Sequence, residues 1–500
     1  MTVHFHKVLC ASASLWLIFL LTGCEQVQDP AIRFGLAQAP ITLDPRFATD
    51  AASYRVNRLL YCPLVEFGED YRPRPRLARW ERVGARRYRF TLLDRCRRFS
   101  DGRHLSARDV VATYRSVLAR GSKSPHKGSL SMVESVETPD EETVEFRLSR
   151  PDPLFPGRLT LGILPAALIE AGHPFREQPV GSGPFNFLAW PAPGELHLLR
   201  RSDGQEVVFL KVPDATVRVL KLLRGEIDLT QGDLPAELLR WTRKREGVRV
   251  LSSRGDTFAY IGFNLADPVT GDPRVRRAVA LALDREAIIR YLLGGHARPA
   301  AAILPPDHWA GYRGGAGFTH DPAAARRLLR EVGYGPDHPL RLTYKTSSNA
   351  QRLRIATVIQ DQLRAVGIQV DIRSYDWGTF YSDIKAGRFQ MYSLAWVGLK
   401  MPDIFRYVFH SASVPPAGAN RGRYADPQVD ALIEQAEGTE DEREQAGIYR
   451  RIQRRLLETL PYVPLWYEDQ VALVRAGITG YRVWPDGRYD ALASTRKLTP

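Results

Sequence analysis

The sequence predicts an α/β fold of several domains, with a ligand cleft beyond the carboxyl ends of parallel strands, and three observations carry that reading. A strand-helix-strand-helix-strand pattern runs from Leu340 to Gly398. Carboxylate-capped helix starts recur at Asp272-Pro273, Asp284 and Asp321-Pro322. A chain of 500 residues that is 44% hydrophobic has enough apolar surface for two or three separate cores.

Within the first pattern, Leu340 to Thr346 alternates apolar and polar residues as a half-buried strand does, and Ser347-Ser348-Asn349 supplies cap chemistry for the next helix. Ile355, Val358, Ile359, Leu363 and Val366 recur at helical spacing, and Gly367 stands where a helix terminates. Ile368 to Tyr375 reads as a second strand. A short helix from Trp377 to Lys385 stops at Gly387, and Met391 to Val397 makes a third strand. Right-handed crossovers make such strands parallel, and ligands bind beyond their carboxyl ends. Those ends carry Thr346-Ser347, Tyr375-Asp376-Trp377 and Trp396-Val397-Gly398, so Tyr375, Trp377 and Trp396 are candidate cleft residues; a place in the core is the alternative for both tryptophans.

Upstream, Asp284 is expected to cap a helix running through Ile288 and Leu292 to Gly294. In the first third, a strand from Tyr88 to Leu93 leads to an Asp101-Gly102 turn, and Ser106 opens a helix through Val110, Val111, Tyr114 and Val117. That part reads as α+β.

At the N-terminus, Lys7 is the only full positive charge before an apolar stretch from Val8 to Leu21, which ends in Leu21-Thr22-Gly23-Cys24. The segment resembles a bacterial lipoprotein signal. The resemblance implies removal of residues 1–23, lipidation of Cys24 and a location outside the cytoplasm, in the periplasm or at the cell surface; an uncleaved anchor or an ordinary signal peptide is the alternative. Glu25 in place of an aspartate favours the outer membrane. Such a protein meets no ATP or reduced nicotinamide, which excludes most enzymes of central metabolism. No later apolar run reaches the roughly 18 residues that cross a bilayer, so the membrane contact expected is the lipid anchor alone.

Of four cysteines, Cys62 and Cys96 remain in the mature chain, as a disulfide or as two separate buried thiols. No spacing of cysteine and histidine suggests zinc, and no cofactor is expected. The net charge of +14 comes mainly from arginines spread along the chain, in pairs such as Arg97-Arg98, Arg276-Arg277 and Arg450-Arg451. We read these as solvated faces rather than a nucleic-acid groove. No GxSxG or HExxH string is present, which disfavours an exported hydrolase.

Several pieces in one order resemble the family 5 extracellular solute-binding proteins, the peptide, dipeptide and nickel receptors of ABC importers. They include Leu43-Asp44-Pro45, Ala48-Thr49-Asp50, Leu77-Ala78-Arg79-Trp80-Glu81 and Phe99-Ser100-Asp101-Gly102 leading to Ser106-Ala107-Arg108-Asp109-Val110. Later come Pro179-Val180-Gly181-Ser182-Gly183-Pro184-Phe185, Leu223-Arg224-Gly225-Glu226-Ile227-Asp228-Leu229 and Pro461-Tyr462-Val463-Pro464-Leu465. The resemblance implies a periplasmic-binding-protein-like fold of class II, cluster C: two lobes with an extra domain and a ligand cleft between the lobes. Domain I would comprise residues 30–58, 178–263 and 471–500, domain II 59–177 and domain III 264–470.

The same resemblance implies a monomeric, non-enzymatic receptor that hands a peptide or similar solute to a permease and ATPase. It places an extended ligand against Thr49, Asp50 and Ala51 on one side and Ala395, Trp396, Val397 and Gly398 on the other. Many such receptors carry an aspartate just past the domain III strand to pair with the ligand amine. Here Leu399-Lys400 follows, with Asp403 the next carboxylate. Lys400 would repel an ammonium group and so points to a blocked, anionic or non-peptide solute. Asp403 or Asp50 could still serve as an anchor, and Arg421 or Arg423 could grip a carboxylate or serve structure alone. Direct capture of nickel or a metallophore would draw on scattered histidines, Met391 and Met401.

Overall fold

The computed structural model describes residues 31–498 apart from Ala316, so the expected signal peptide and Cys24 lie outside the described residues. A sheet of 11 strands forms its frame. Two long strands, Val248–Phe263 and Tyr462–Arg475, pair antiparallel through the middle of it. Their register shifts between Ser253 and Thr257, and the partners change there. Beyond Thr257, the first long strand pairs with Met391–Trp396, which leads to Leu340–Ser347 and Ile368–Tyr375. At the other end, Leu229–Gln231 pairs with the second long strand and leads through Ile32–Leu36 and Glu206–Lys211 to two further antiparallel strands.

The expected α/β unit is present. Leu340–Ser347 pairs parallel with both Ile368–Tyr375 and Met391–Trp396. Asn349 caps the helix Ala350–Arg364 by accepting from the Arg352 N–H at 3.1 Å, and Asp376 caps Trp377–Ala386 by accepting from Thr379 at 3.1 Å. Alternation along Val248–Phe263 sends Ala259, Ile261 and Phe263 to one face, where Ile355, Ile359 and Leu363 cover them. Phe258 and Tyr260 face the other way, against Phe380 and Ile384.

Among the described residues three more cores lie outside that unit, and two of them carry residues near the expected cleft. Four antiparallel strands, Ala78–Gly84, Arg87–Leu92, Thr143–Leu148 and Val133–Glu137, pack on the helix Ala107–Leu118 through Val110, Tyr114 and Val117. Ser106 and Asp109 close a capping box at its start. Cys62 and Cys96 form a disulfide at the edge of this core, with Cα atoms 6.2 Å apart. In the second core, Val56, Leu59 and Leu60 of the helix Ala51–Leu60 pack on Ile32, Phe34 and Leu36.

Two expectations need correction. Asp284 caps the next helix as expected, accepting from the Ala287 N–H at 2.8 Å, but that helix is a single α turn followed by a wide π turn, Ile288–Leu292. Gly294 and Gly295 both take positive φ, and the Leu293 N–H reaches back to the Ile288 carbonyl. The arginine pairs are also not simply solvated. Arg97 and Arg276 are buried, as are Arg218 and Arg285. Arg276 donates to the carbonyls of Thr270, Gly271 and Thr459, and Arg285 to those of Ala300 and Pro464. The flat fork of a guanidinium satisfies several loop carbonyls at once, which an ammonium group cannot do.

Candidate functional site

A cavity of about 430 Å³ opens at the carboxyl edge of the parallel strands, within the range of small-molecule sites. One wall comes from the strand ends at Thr346-Ser347 and Ser393–Val397 and from the helix starting at Trp377. The facing wall is the loop Ala48-Thr49-Asp50 and the first turns of the helix Ala51–Leu60. Of the residues anticipated from sequence, Thr49, Asp50, Ala51, Trp377, Ala395, Trp396, Val397 and Arg421 line this cavity together.

Asp50 caps its helix by accepting the Ser53 N–H at 2.8 Å through one carboxyl oxygen, while the other is buried without a hydrogen-bond partner. Burial raises its pKa above the ordinary value, with the bonds from Ser53 acting the other way. Trp377 and Trp396 combine the two roles left open for them. Each packs against the core beneath the sheet, and each leaves its indole N–H unpaired at the cavity wall.

Two arginines line the cavity, and they differ in charge balance. Arg352 is held by Glu468, with 2.9 Å between Nη2 and Oε2. Arg421 has no carboxylate partner among the described residues. Its guanidinium stands 5.0 Å from the Trp396 ring centre and 5.3 Å from that of Tyr381. The hydroxyls of Tyr260 and Tyr381 lie 3.4 and 3.3 Å away. Arg421 is buried, and a buried cation ringed by aromatic residues carries a desolvation cost that a ligand anion would offset.

Other anticipated residues stand elsewhere. The Lys400 ammonium lies between Asp256, at 2.7 Å, and Asp486, at 3.5 Å, away from the cavity wall. Burial disfavours its charge, but the two carboxylates outweigh that effect and raise its pKa. The expected repulsion of a ligand amine therefore falls away. Asp403 is paired to Arg158 at 2.7 Å and is not free to anchor a ligand. Arg423 donates to the carbonyls of Arg421 and Ala386, which fixes the loop that presents Arg421. Tyr375 stands outside the wall beneath the Lys345 ammonium, and Gly398 turns the chain at φ 70° past the strand end. Met391 and Met401 are buried, and no group of three or more histidine, cysteine or acidic side chains suited to a metal occurs among the described residues.

Sequence reasoning missed Tyr54, His126 and Tyr381, which also line the cavity. Tyr54 and Asn57 share a face of the helix Ala51–Leu60 at i and i+3, a signal legible in its sequence, and Tyr61 ends that helix in extended conformation.

The model of the bacterial extracellular solute-binding proteins, family 5 middle, matches residues 72–414. The chain is 28% identical over 424 residues to probable di/tripeptide-binding protein 5 of Pseudomonas aeruginosa (strain UCBPP-PA14), covering 78% of this chain and 80% of that one. It is 26% identical to oligopeptide-binding protein AppA of Bacillus subtilis (strain 168), covering 89% and 88%. The solved structure of DppA, an ABC transporter-associated periplasmic binding protein of Helicobacter pylori, in complex with the peptide STSA superposes with a TM-score of 0.84 at 25% identity, over 94% of this chain and 98% of that one. No helix among the described residues is long and apolar enough to cross a membrane. With the matched segment spanning more than half its length and a two-lobed cleft of the expected form, the chain belongs to the family 5 bacterial extracellular solute-binding proteins.

Proposed function

We propose that this chain is the lipid-anchored substrate-binding protein of an ABC importer, capturing a peptide or similar extended solute outside the cytoplasm and delivering it intact to a permease. The observation that carries the reading is Arg421, a buried guanidinium without a carboxylate partner among the described residues, in a cavity walled from two sides. In this reading Arg421 receives a ligand carboxylate, and the free carboxyl oxygen of Asp50 faces an amine or amide on the opposite wall. The parallel ladder between Leu340–Ser347 and Met391–Trp396 ends at Lys345 and Tyr392. The following residues, through Ala395 and Trp396 to Val397, keep backbone groups for an extended ligand, which gives affinity without reading side chains.

Residues 30–58, 178–263 and 471–500 would act as domain I, 59–177 as domain II and 264–470 as domain III. Because the walls come from different domains, ligand contacts to both favour the closed state. The two long strands, with their register shift at Ser253 to Thr257, provide the connection about which closure occurs.

The test is small-angle scattering of the protein lacking residues 1–24, titrated with a peptide library of mixed length. The reading expects a smaller radius of gyration at saturation, and an unchanged radius alongside measured binding would overturn the closure mechanism.

A further inference from the structure

A second compartment of about 290 Å³ adjoins the cavity and shares Ala48, Tyr54 and His126 with its wall. It lies between the helix Ala51–Leu60 and the segment Thr160–Gly162, away from the parallel strands. Its charged groups pair off: Arg58 and Asp490 through two contacts, at 2.7 and 3.2 Å, and Arg76 with Glu66 at 3.9 Å. Two polar side chains on its wall are not satisfied. Asn57, 5% exposed, donates through its amide nitrogen toward the Thr42 carbonyl at 3.5 Å, and its Oδ1 has no partner. The hydroxyl of Tyr61, 2% exposed, has none either. Asn57 stands on the helix face that carries Tyr54, and Tyr61 is the extended residue that ends that helix; Tyr54 is exposed at the junction of the two compartments. His126, on the other side of that junction, has its pKa lowered by burial, so the junction adds no positive charge at neutral pH.

An unpaired acceptor and an unpaired hydroxyl, buried in the wall of a recess whose charges pair off, match a ligand group that donates a hydrogen bond and carries no charge. We propose that this recess is a second subsite, taking an uncharged extension of the ligand whose N–H or O–H is received by Asn57 and Tyr61. The solute therefore runs away from the carboxylate held at Arg421, across Tyr54, and the protein prefers longer ligands over those that fill the first compartment alone. This inference rests on the peptide reading above and adds a length preference to it.

The experiment is native mass spectrometry of the protein lacking residues 1–24, mixed with equal amounts of peptides of two to six residues. Wild type is expected to retain longer peptides over dipeptides by about tenfold, the value of one or two hydrogen bonds in a dry site. Asn57→Leu and Tyr61→Phe are each expected to erase most of that preference while dipeptide retention stays within about twofold. Tyr61→Phe keeps the ring and removes only the hydroxyl, so it reports even if the leucine variant folds poorly. Equal retention of all lengths by wild type, or equal loss at every length in both variants, would overturn the second subsite while leaving the receptor reading intact. Failure of wild type to retain any peptide would overturn the peptide reading and this inference with it.

Discussion

Replacing Arg421 by methionine separates a ligand anchor from a structural cation, because the two roles predict opposite results. The residue is 5% exposed, and its polar neighbours are tyrosine hydroxyls at 3.3 and 3.4 Å, long for charge-assisted bonds. Two ring contacts, worth about 1 kcal/mol each, stand against a desolvation cost of several kcal/mol for a buried ion. Without ligand, the variant should therefore keep or raise its urea midpoint, since methionine fills the space and removes the unpaired charge. With ligand, loss of a charge-assisted pair should weaken binding by about 3 kcal/mol, or roughly 150-fold. Calorimetry with a peptide that wild type binds, and with the same peptide amidated at its C-terminus, reads both sides of the contact. Wild type should discriminate strongly between acid and amide, and the methionine variant should not. Unchanged affinity together with a lowered urea midpoint would refute the reasoning and make Arg421 a structural residue.

Arg158→Met should cost about 3–5 kcal/mol in urea unfolding, because it strands the buried Asp152 carboxylate and the half-buried Asp403 carboxylate, now 2.6 and 2.7 Å from the guanidinium; a change below 1 kcal/mol would show that neither depends on it. His308 accepts from the Ala310 N–H at 3.0 Å and its other ring nitrogen lies 3.0 Å from the Lys400 carbonyl, and burial pulls its pKa down from 6.5 to about 4. The unfolded chain then binds the extra proton between those values, so this contribution is complete above pH 6.5 and lost as pH falls toward 4. Urea unfolding at pH 5 and pH 8 should differ by about 2 kcal/mol from this group, and His308→Gln should flatten the slope by that amount; an unaltered slope would contradict it. Reducing the Cys62–Cys96 disulfide, whose ends are 34 residues apart, should lower stability by about 4 kcal/mol through the freed loop entropy, read as a fall in the urea midpoint with dithiothreitol.

The strand-helix-strand-helix-strand unit was legible because its information is local. Periodicity at Ile355, Ile359 and Leu363, together with caps at Asn349 and Asp376, fixes each element within a few residues. The rule that ligands bind beyond the strand ends then locates the cavity at Thr346, Trp377 and Trp396 without knowledge of the rest of the fold. The state of each charge was not legible, since its partner comes from far along the chain. Lys400 meets Asp256 and Asp486, and Asp403 meets Arg158 at a separation of 245 residues. Nothing near Lys400 in the sequence announces two carboxylates, so its charge read as free. The arginines misled for the same reason: Arg276 and Arg277 are adjacent, yet one is buried among loop carbonyls and the other is half-buried. Pairing of Cys62 with Cys96 likewise follows from the way the strands bring them together.

The most direct test of the central claim is to identify what the protein carries when it is isolated, without residues 1–24, from its own cells and sprayed intact into a mass spectrometer. The expected result is a retained solute that fragments into amino-acid residues, bears a free carboxylate, and is lost or strongly depleted from Arg421→Met. A retained solute without amino-acid residues, or one held equally well by the variant, would contradict it.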